Sequence, residues 1–258
     1  MKNIIPVFKT EGSLMRSLFS VEDAKNEIPE FGQISIMSVA KNHDLKEITV
    51  CDDYFVSFPS LYKKCKKNGV NLIFGCNFTV CNDVLDKTEK SLYSNCKVSV
   101  FIKNSDGYKD LLNLHNKIKT SAENFYYSPR ADWKMISSLM TKNLKLVFPS
   151  YDNFIHKNLL NNGECVPIFK NNLEPVFFYS NQDLPYDSIL TNAIKEYCIK
   201  NSFEMQEVHN CYYYKPSDFK SYVLMRCFEN RSRFKKPEID FLCSDDFSFQ
   251  SYLNKTNV

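Results

Sequence analysis

The amino-acid sequence predicts an α/β protein built from βαβ units around a parallel sheet or barrel. Three observations carry this expectation. Strand-like and helix-like stretches alternate almost throughout the chain. The forty residues Ala40 to Thr79 read in turn as helix end, buried strand, exposed loop, basic helix, glycine stop and second buried strand. The chain has 258 residues and is 43% hydrophobic, enough for one large α/β barrel without a split into domains.

Taken in order, Ile4–Phe8 is a plausible first strand and Ile34–Asn42 a short helix. Glu47–Cys51 is an apolar strand, and Pro59–Asn68 is a helix with proline at its start and Gly69 as its C-terminal stop. Val70–Phe74 is the next strand. Cys81 to Cys96 is polar and aperiodic, and reads as a hairpin or loop insertion. Lys97–Lys103 alternates like a strand and is closed by the turn cluster Asn104-Ser105-Asp106-Gly107. Tyr108–Lys119 carries Leu111, Leu112, Leu114, His115 and Ile118 at helical spacing. Asp132 is a credible N-cap for Trp133–Met140. Leu144–Phe148 and Pro175–Tyr179 are short apolar strands, Ile189–Lys200 an amphipathic helix, Phe203–Val208 a last strand, and Pro216 opens a helix to about Cys227. Residues 1–258 read as a single domain, and the tail after about Asp245 is expected to pack loosely.

The net charge of +3 is too small to announce a nucleic-acid binder. The basic run Arg226–Lys236 reads as a solvated face. Ten cysteines are scattered singly, with no Cys-x-x-Cys pair and no histidine at zinc-finger spacing. With no signal-like leader and no apolar run approaching the roughly 20 residues of a membrane span, they read as reduced thiols in a cytoplasmic protein.

Residues 40–79 also resemble the second and third motifs of the PHP (polymerase and histidinol phosphatase) domain, in the version found at the N-terminus of the bacterial DNA polymerase III alpha subunit. There an Asp-His pair follows the first strand and Gly-x-Glu the second; here those places hold Asp52-Asp53 and Gly75-Cys76-Asn77. Three further stretches resemble the family in the same order. Lys97–Leu111 is similar to a strand led by a ligand histidine and ending in Gly-Tyr-x-x-Leu. Ser128–Leu139 is similar to its Pro-Arg segment. Asn192–Phe219 is similar to a helix and strand leading to Asn-Asp-x-His-Tyr. The resemblance implies a distorted β/α (TIM-like) PHP barrel.

It also implies a site of His, Asp and Glu holding divalent metals that activate water and clamp a phosphate. Carried over, the His-x-His-Ser-x-x-Ser motif falls on Leu14, Arg16, Ser17 and Ser20. The Glu becomes Asn77, the strand-start His becomes Lys97, and the last Asp and His become Asn210 and Tyr212. Among the aligned metal-ligand positions only Asp52 keeps the family's residue type. Two replacements, Arg16 and Lys97, are cations. Opposite charges about 4 Å apart gain roughly 4 kcal/mol at an effective dielectric near 20, so these cations can neutralise the Asp pair without a metal.

Four histidines lie off the aligned positions: His43, His115, His156 and His209. His115 reads as packed on a helix stripe, and His209 as a residue able to face the cleft. Cys51 reads as structural, because adjacent carboxylates disfavour a thiolate. The expectation is a catalytically degenerate PHP-domain protein without a cofactor, a structural or accessory subunit docking a separately encoded replicative DNA polymerase, with weak DNA contact at most. Two alternatives stand beside it. One is a residual manganese- or zinc-dependent phosphoesterase or 3′-5′ exonuclease; the other is a metal-free module binding a phosphate or DNA end through Arg16 and Lys97.

Overall fold

The computed structural model describes residues 4–30, 33–169, 174–233, 241–242 and 244–256. The basic run Arg226–Lys236 extends past them: its residues 234–236 lie outside the described set. The strands are β1 (Ile5–Phe8), β2 (Phe19–Ser20), β3 (Ile34–Ser35), β4 (Glu47–Asp52), β5 (Asn71–Cys81), β6 (Cys96–Ile102), β7 (Phe125–Tyr126), β8 (Ser128–Pro129), β9 (Ala131–Asp132), β10 (Leu144–Phe148), β11 (Val176–Tyr179) and β12 (Glu204–Cys211). The helices are α1 (Ile36–Asn42), α2 (Phe58–Lys67), α3 (Gly107–Lys119), α4 (Trp133–Leu139), α5 (Phe154–Leu160), α6 (Asp187–Asn201), α7 (Phe219–Asn230) and α8 (Phe249–Thr256). The hydrogen-bonded order is β4-β1-β12-β11-β10-β6-β5, with β4 also pairing β5 and β9 added outside β5. This is the expected α/β fold, a distorted TIM-like barrel.

The chain divides into two compact units, Met1–Phe74 with Ser180–Asp187 and Glu207–Val258, and Gly75–Tyr179 with Ser188–Gln206. In the first, β1 runs parallel to both neighbours, with Phe8 opposite Val50 of β4 and Cys211 of β12. All three strands therefore finish at one end, where a β/α barrel carries its chemistry. The helices that bring the chain back are set by local signals. The Ser35 side chain caps α1 by accepting from Met37 and Ser38 N–H groups. In α2 Leu61 and Cys65 face inward while Lys63, Lys66 and Lys67 stay exposed, and Gly69 supplies the left-handed turn (φ 69°) after it. After Asp245, where the sequence suggested a loose tail, Phe247 and Phe249 are fully buried. Phe249 lies 5.4 Å from Phe8, and Tyr212 N–H donates to the Phe247 carbonyl at 2.9 Å.

In the second unit β6 is antiparallel to β5 and to β10, which pairs parallel with β11. The parallel pairing suggested by the alternation of strands and helices gives way here to a mixed sheet. A parallel return needs a crossover that spans the sheet, usually a helix. The 82–95 connection instead carries only a 3-10 turn (Glu89–Ser94), so β6 returns antiparallel beside β5. The core is aromatic: Phe148 stacks on Phe177 at 4.5 Å, and Phe177 on Phe203 at 5.7 Å. Asp132 caps α4 as expected, accepting from Met135 N–H at 2.7 Å. No described helix is long and apolar enough to cross a membrane.

Candidate functional site: a capped carboxylate at the strand ends

Asp52 is the last residue of β4 and is fully buried. The loop that leaves β1 folds directly over it. Thr10 donates to the carboxylate from its N–H (2.8 Å, to Oδ1) and its hydroxyl (2.5 Å, to Oδ2). Ser13 Oγ donates to Oδ1 at 3.0 Å, and Ser57, just before α2, to Oδ2 at 2.5 Å. A glycine is required in the middle of this cover. A Cβ at Gly12 would lie 2.6 Å from both Asp52 Oδ2 and Ser57 Oγ, closer than atoms pack. Burial pushes the Asp52 carboxyl pKa up, while the hydrogen bonds from Ser57, Thr10 and Ser13 pull it back.

Asp53 turns the other way and meets cations. Lys9 Nζ lies 3.3 Å from its Oδ2 and Arg16 Nε 3.9 Å away. Its N–H donates to Ser13 Oγ at 2.9 Å, so one serine bridges both aspartates. Arg16 Nε also pairs with Glu229 on α7 at 3.1 Å, and Glu229 in turn binds Arg226, whose guanidinium lies over the Phe241 ring. Lys9, Asp53, Arg16, Glu229 and Arg226 thus form a continuous chain of alternating charge.

The residues expected from the last motif pack inward. His209 is buried, with Nε2 at 3.1 Å from the Ser248 carbonyl. Desolvation, helped by the Lys255 charge, lowers its pKa to about 4, so it stays neutral. Asn210 exchanges three hydrogen bonds with Gln182: Asn210 N–H and Nδ2 donate to Oε1, and Gln182 Nε2 returns one to the Asn210 carbonyl. Tyr212 is stacked between Phe247 (5.0 Å) and Tyr222 (5.5 Å), a packing role rather than a base platform.

Asn77 and Lys97 belong to the second unit. Asn77 Oδ1 accepts from Ser99 Oγ at 2.6 Å, and Lys97 Nζ donates to Thr79 Oγ1 at 2.9 Å. In the same unit burial raises the Asp152 carboxyl, but the Lys157 ammonium at 2.8 Å, with His156 and Lys97, outweighs it and holds the group well below the usual carboxylate range. His156 Nδ1 accepts from Asp152 N–H at 2.7 Å, and His115 packs edge-on to Phe78.

Of the residues aligned with the first motif, Leu14 is 67% exposed in the loop that follows β1, Arg16 pairs with Asp53 and Glu229, and Ser17 and Ser20 are buried. The segment that leaves the strand end is Lys9-Thr10-Glu11-Gly12-Ser13. Lys9, Thr10, Ser13 and Ser57 are the site residues that sequence reasoning missed. The signal for the first three was their position immediately after an apolar strand.

The family model for the PHP domain matches residues 15–172, more than half of the chain, and the chain belongs to this phosphoesterase-like family. No curated protein matches the sequence. The family's divalent metals need several free carboxylate and imidazole lone pairs. Here Asp52 accepts four protein donors, Asp53 faces Lys9, and no three His, Cys, Asp or Glu side chains among the described residues gather as a metal site. These residues do not fit a divalent cluster.

Proposed function

We propose that this chain is a catalytically degenerate PHP-domain protein that works without a metal, as a structural or accessory subunit docking a separately encoded replicative DNA polymerase. The hydrogen-bonded closure of Asp52 carries the first half of the reading. A carboxylate holding four protein donors presents no lone pair to a cation unless those bonds break. The similarity of four ordered stretches to the polymerase-type PHP domain supports the second half. The phosphate-binding alternative is disfavoured because Arg16 is already shared between Asp53 and Glu229.

The test has two arms. Purified protein with manganese or zinc is assayed for nucleotide release from single-stranded DNA, beside Asp52→Ala; the two are expected to be equally inactive. Affinity purification from the native source is expected to recover a polymerase. Metal-dependent release abolished by Asp52→Ala would replace this reading with the residual exonuclease. Recovery of no replication protein would remove the partner half.

A further inference from the structure

In the second unit, away from the carboxylates, Cys96 and Cys165 place their Sγ atoms 3.4 Å apart. Cys96 is the first residue of β6 and is held in register opposite Val80. Cys165 lies in the irregular stretch between α5 and β11. Side chains hold that stretch in place: Asn158 exchanges hydrogen bonds with the Cys165 backbone in both directions (2.8 and 3.0 Å). Asn82 accepts from Val166 N–H at 2.8 Å and donates to the Glu164 carbonyl at 2.7 Å, and Glu164 N–H reaches the Tyr93 carbonyl at 2.9 Å. The loop therefore presents Cys165 to a fixed strand position.

We infer that Cys96 and Cys165 are a redox modification site that closes to a reversible disulfide with hydrogen peroxide as oxidant. A disulfide is about 2.05 Å long, so the two sulfurs must approach by roughly 1.4 Å. A side-chain rotation with a small shift of the Cys165 loop supplies this, because no strand must leave its register. The bland alternative is a pair of core thiols in S–H···S contact, and burial does hold the Cys96 thiol well above its ordinary pKa. Cys165 is buried too, 2% exposed, so the loop that carries it, rather than the strand fixed in register, must shift to admit the oxidant, and Cys96 takes the later, resolving step. Cys165 Sγ attacks one peroxide oxygen, its proton passing to the departing oxygen. The O–O bond breaks, and the departing hydroxide leaves as water, giving a sulfenic acid. Cys96 Sγ then attacks that sulfur; the S–S bond forms, the S–O bond breaks, and a second water leaves with the Cys96 proton. Two thiols lose two electrons and one peroxide becomes two waters.

The link would tie the loop carrying the exposed Val166 and Ile168 to the strand residue next to Lys97. It would close a long loop in the unfolded chain, so oxidised protein should melt about 5–10 °C higher than reduced protein. The experiment treats the folded full chain with stoichiometric hydrogen peroxide, alkylates the remaining thiols, and maps peptides without reductant. A dominant Cys96–Cys165 peptide, reversed by dithiothreitol and absent in Cys165→Ser, is the expected result; Cys81→Ser should keep it. Both cysteines remaining alkylatable on denaturation, either one paired mainly with another cysteine, or the link arising only in urea would each overturn the proposal. The wild-type map alone decides it should the serine variant fail to fold.

Discussion

Thr10 donates to Asp52 twice, from its backbone N–H at 2.8 Å and from its hydroxyl at 2.5 Å. The same residue thereby fixes the loop after β1 and occupies both carboxylate oxygens. This makes Asp52 a structural acceptor, and Asp52→Asn should behave accordingly. The new amide N–H would face a donor, and losing one buried bond costs about 1–3 kcal/mol. The urea midpoint should fall with the m-value unchanged. A variant as stable as wild type would show that the four bonds contribute little.

Two glycines should respond differently to alanine. At Gly12 the added methyl meets Asp52 Oδ2 and Ser57 Oγ at 2.6 Å, and relieving that contact should cost about 1–3 kcal/mol. At Gly69 nothing lies within 4 Å, and only the positive φ is strained, a cost of about 1 kcal/mol. Thermal unfolding of both variants checks the order; equal losses would mean that the cover over Asp52 yields easily.

His209 gives stability a pH dependence. Its folded pKa of about 4 lies below the unfolded 6.5, so the unfolded chain binds the extra proton between these values. The contribution is complete above pH 6.5 and is lost as pH falls through 4, about 3 kcal/mol across the window. Asp52, with its raised pKa, acts with the opposite sign. Urea titrations of wild type and His209→Gln from pH 7 to 4 isolate the histidine term: the variant should lose the steep part of the slope.

Lys9 and Asp53 should be energetically coupled. Their side chains are 16% and 14% exposed at 3.3 Å, and a double-mutant cycle with Lys9→Met and Asp53→Asn should return about 1 kcal/mol, reduced by salt. A coupling of zero would mean that Arg16 alone satisfies Asp53.

Elements with strong local signals were legible in the sequence. The strand Leu144–Phe148 has the expected bounds, β4 runs one residue further than expected, and α2 is shifted by one residue at each end. β5 and β12 were read as too short, ending at Phe74 and Val208 where they reach Cys81 and Cys211. In both cases the strand continues through polar residues, Asn77 and Asn210, whose amides are satisfied by Ser99 and Gln182. Those partners are remote in sequence, so hydropathy marked an end where none exists. The site was legible at Asp52, Asp53 and Arg16, which the structure brings together. Thr10, Ser13 and Ser57 were hidden because hydroxyl residues in loops carry no chemical signature until the fold shows what they face.

The bridging Ser13 couples the two carboxylates. Asp52 is held under hydroxyls from two separate segments, the loop after β1 and the turn before α2. Ser13 ties that lid to the Asp53 backbone, so loosening one carboxylate disturbs the other. A substitution in either segment is therefore felt at both aspartates, and the cover behaves as one unit.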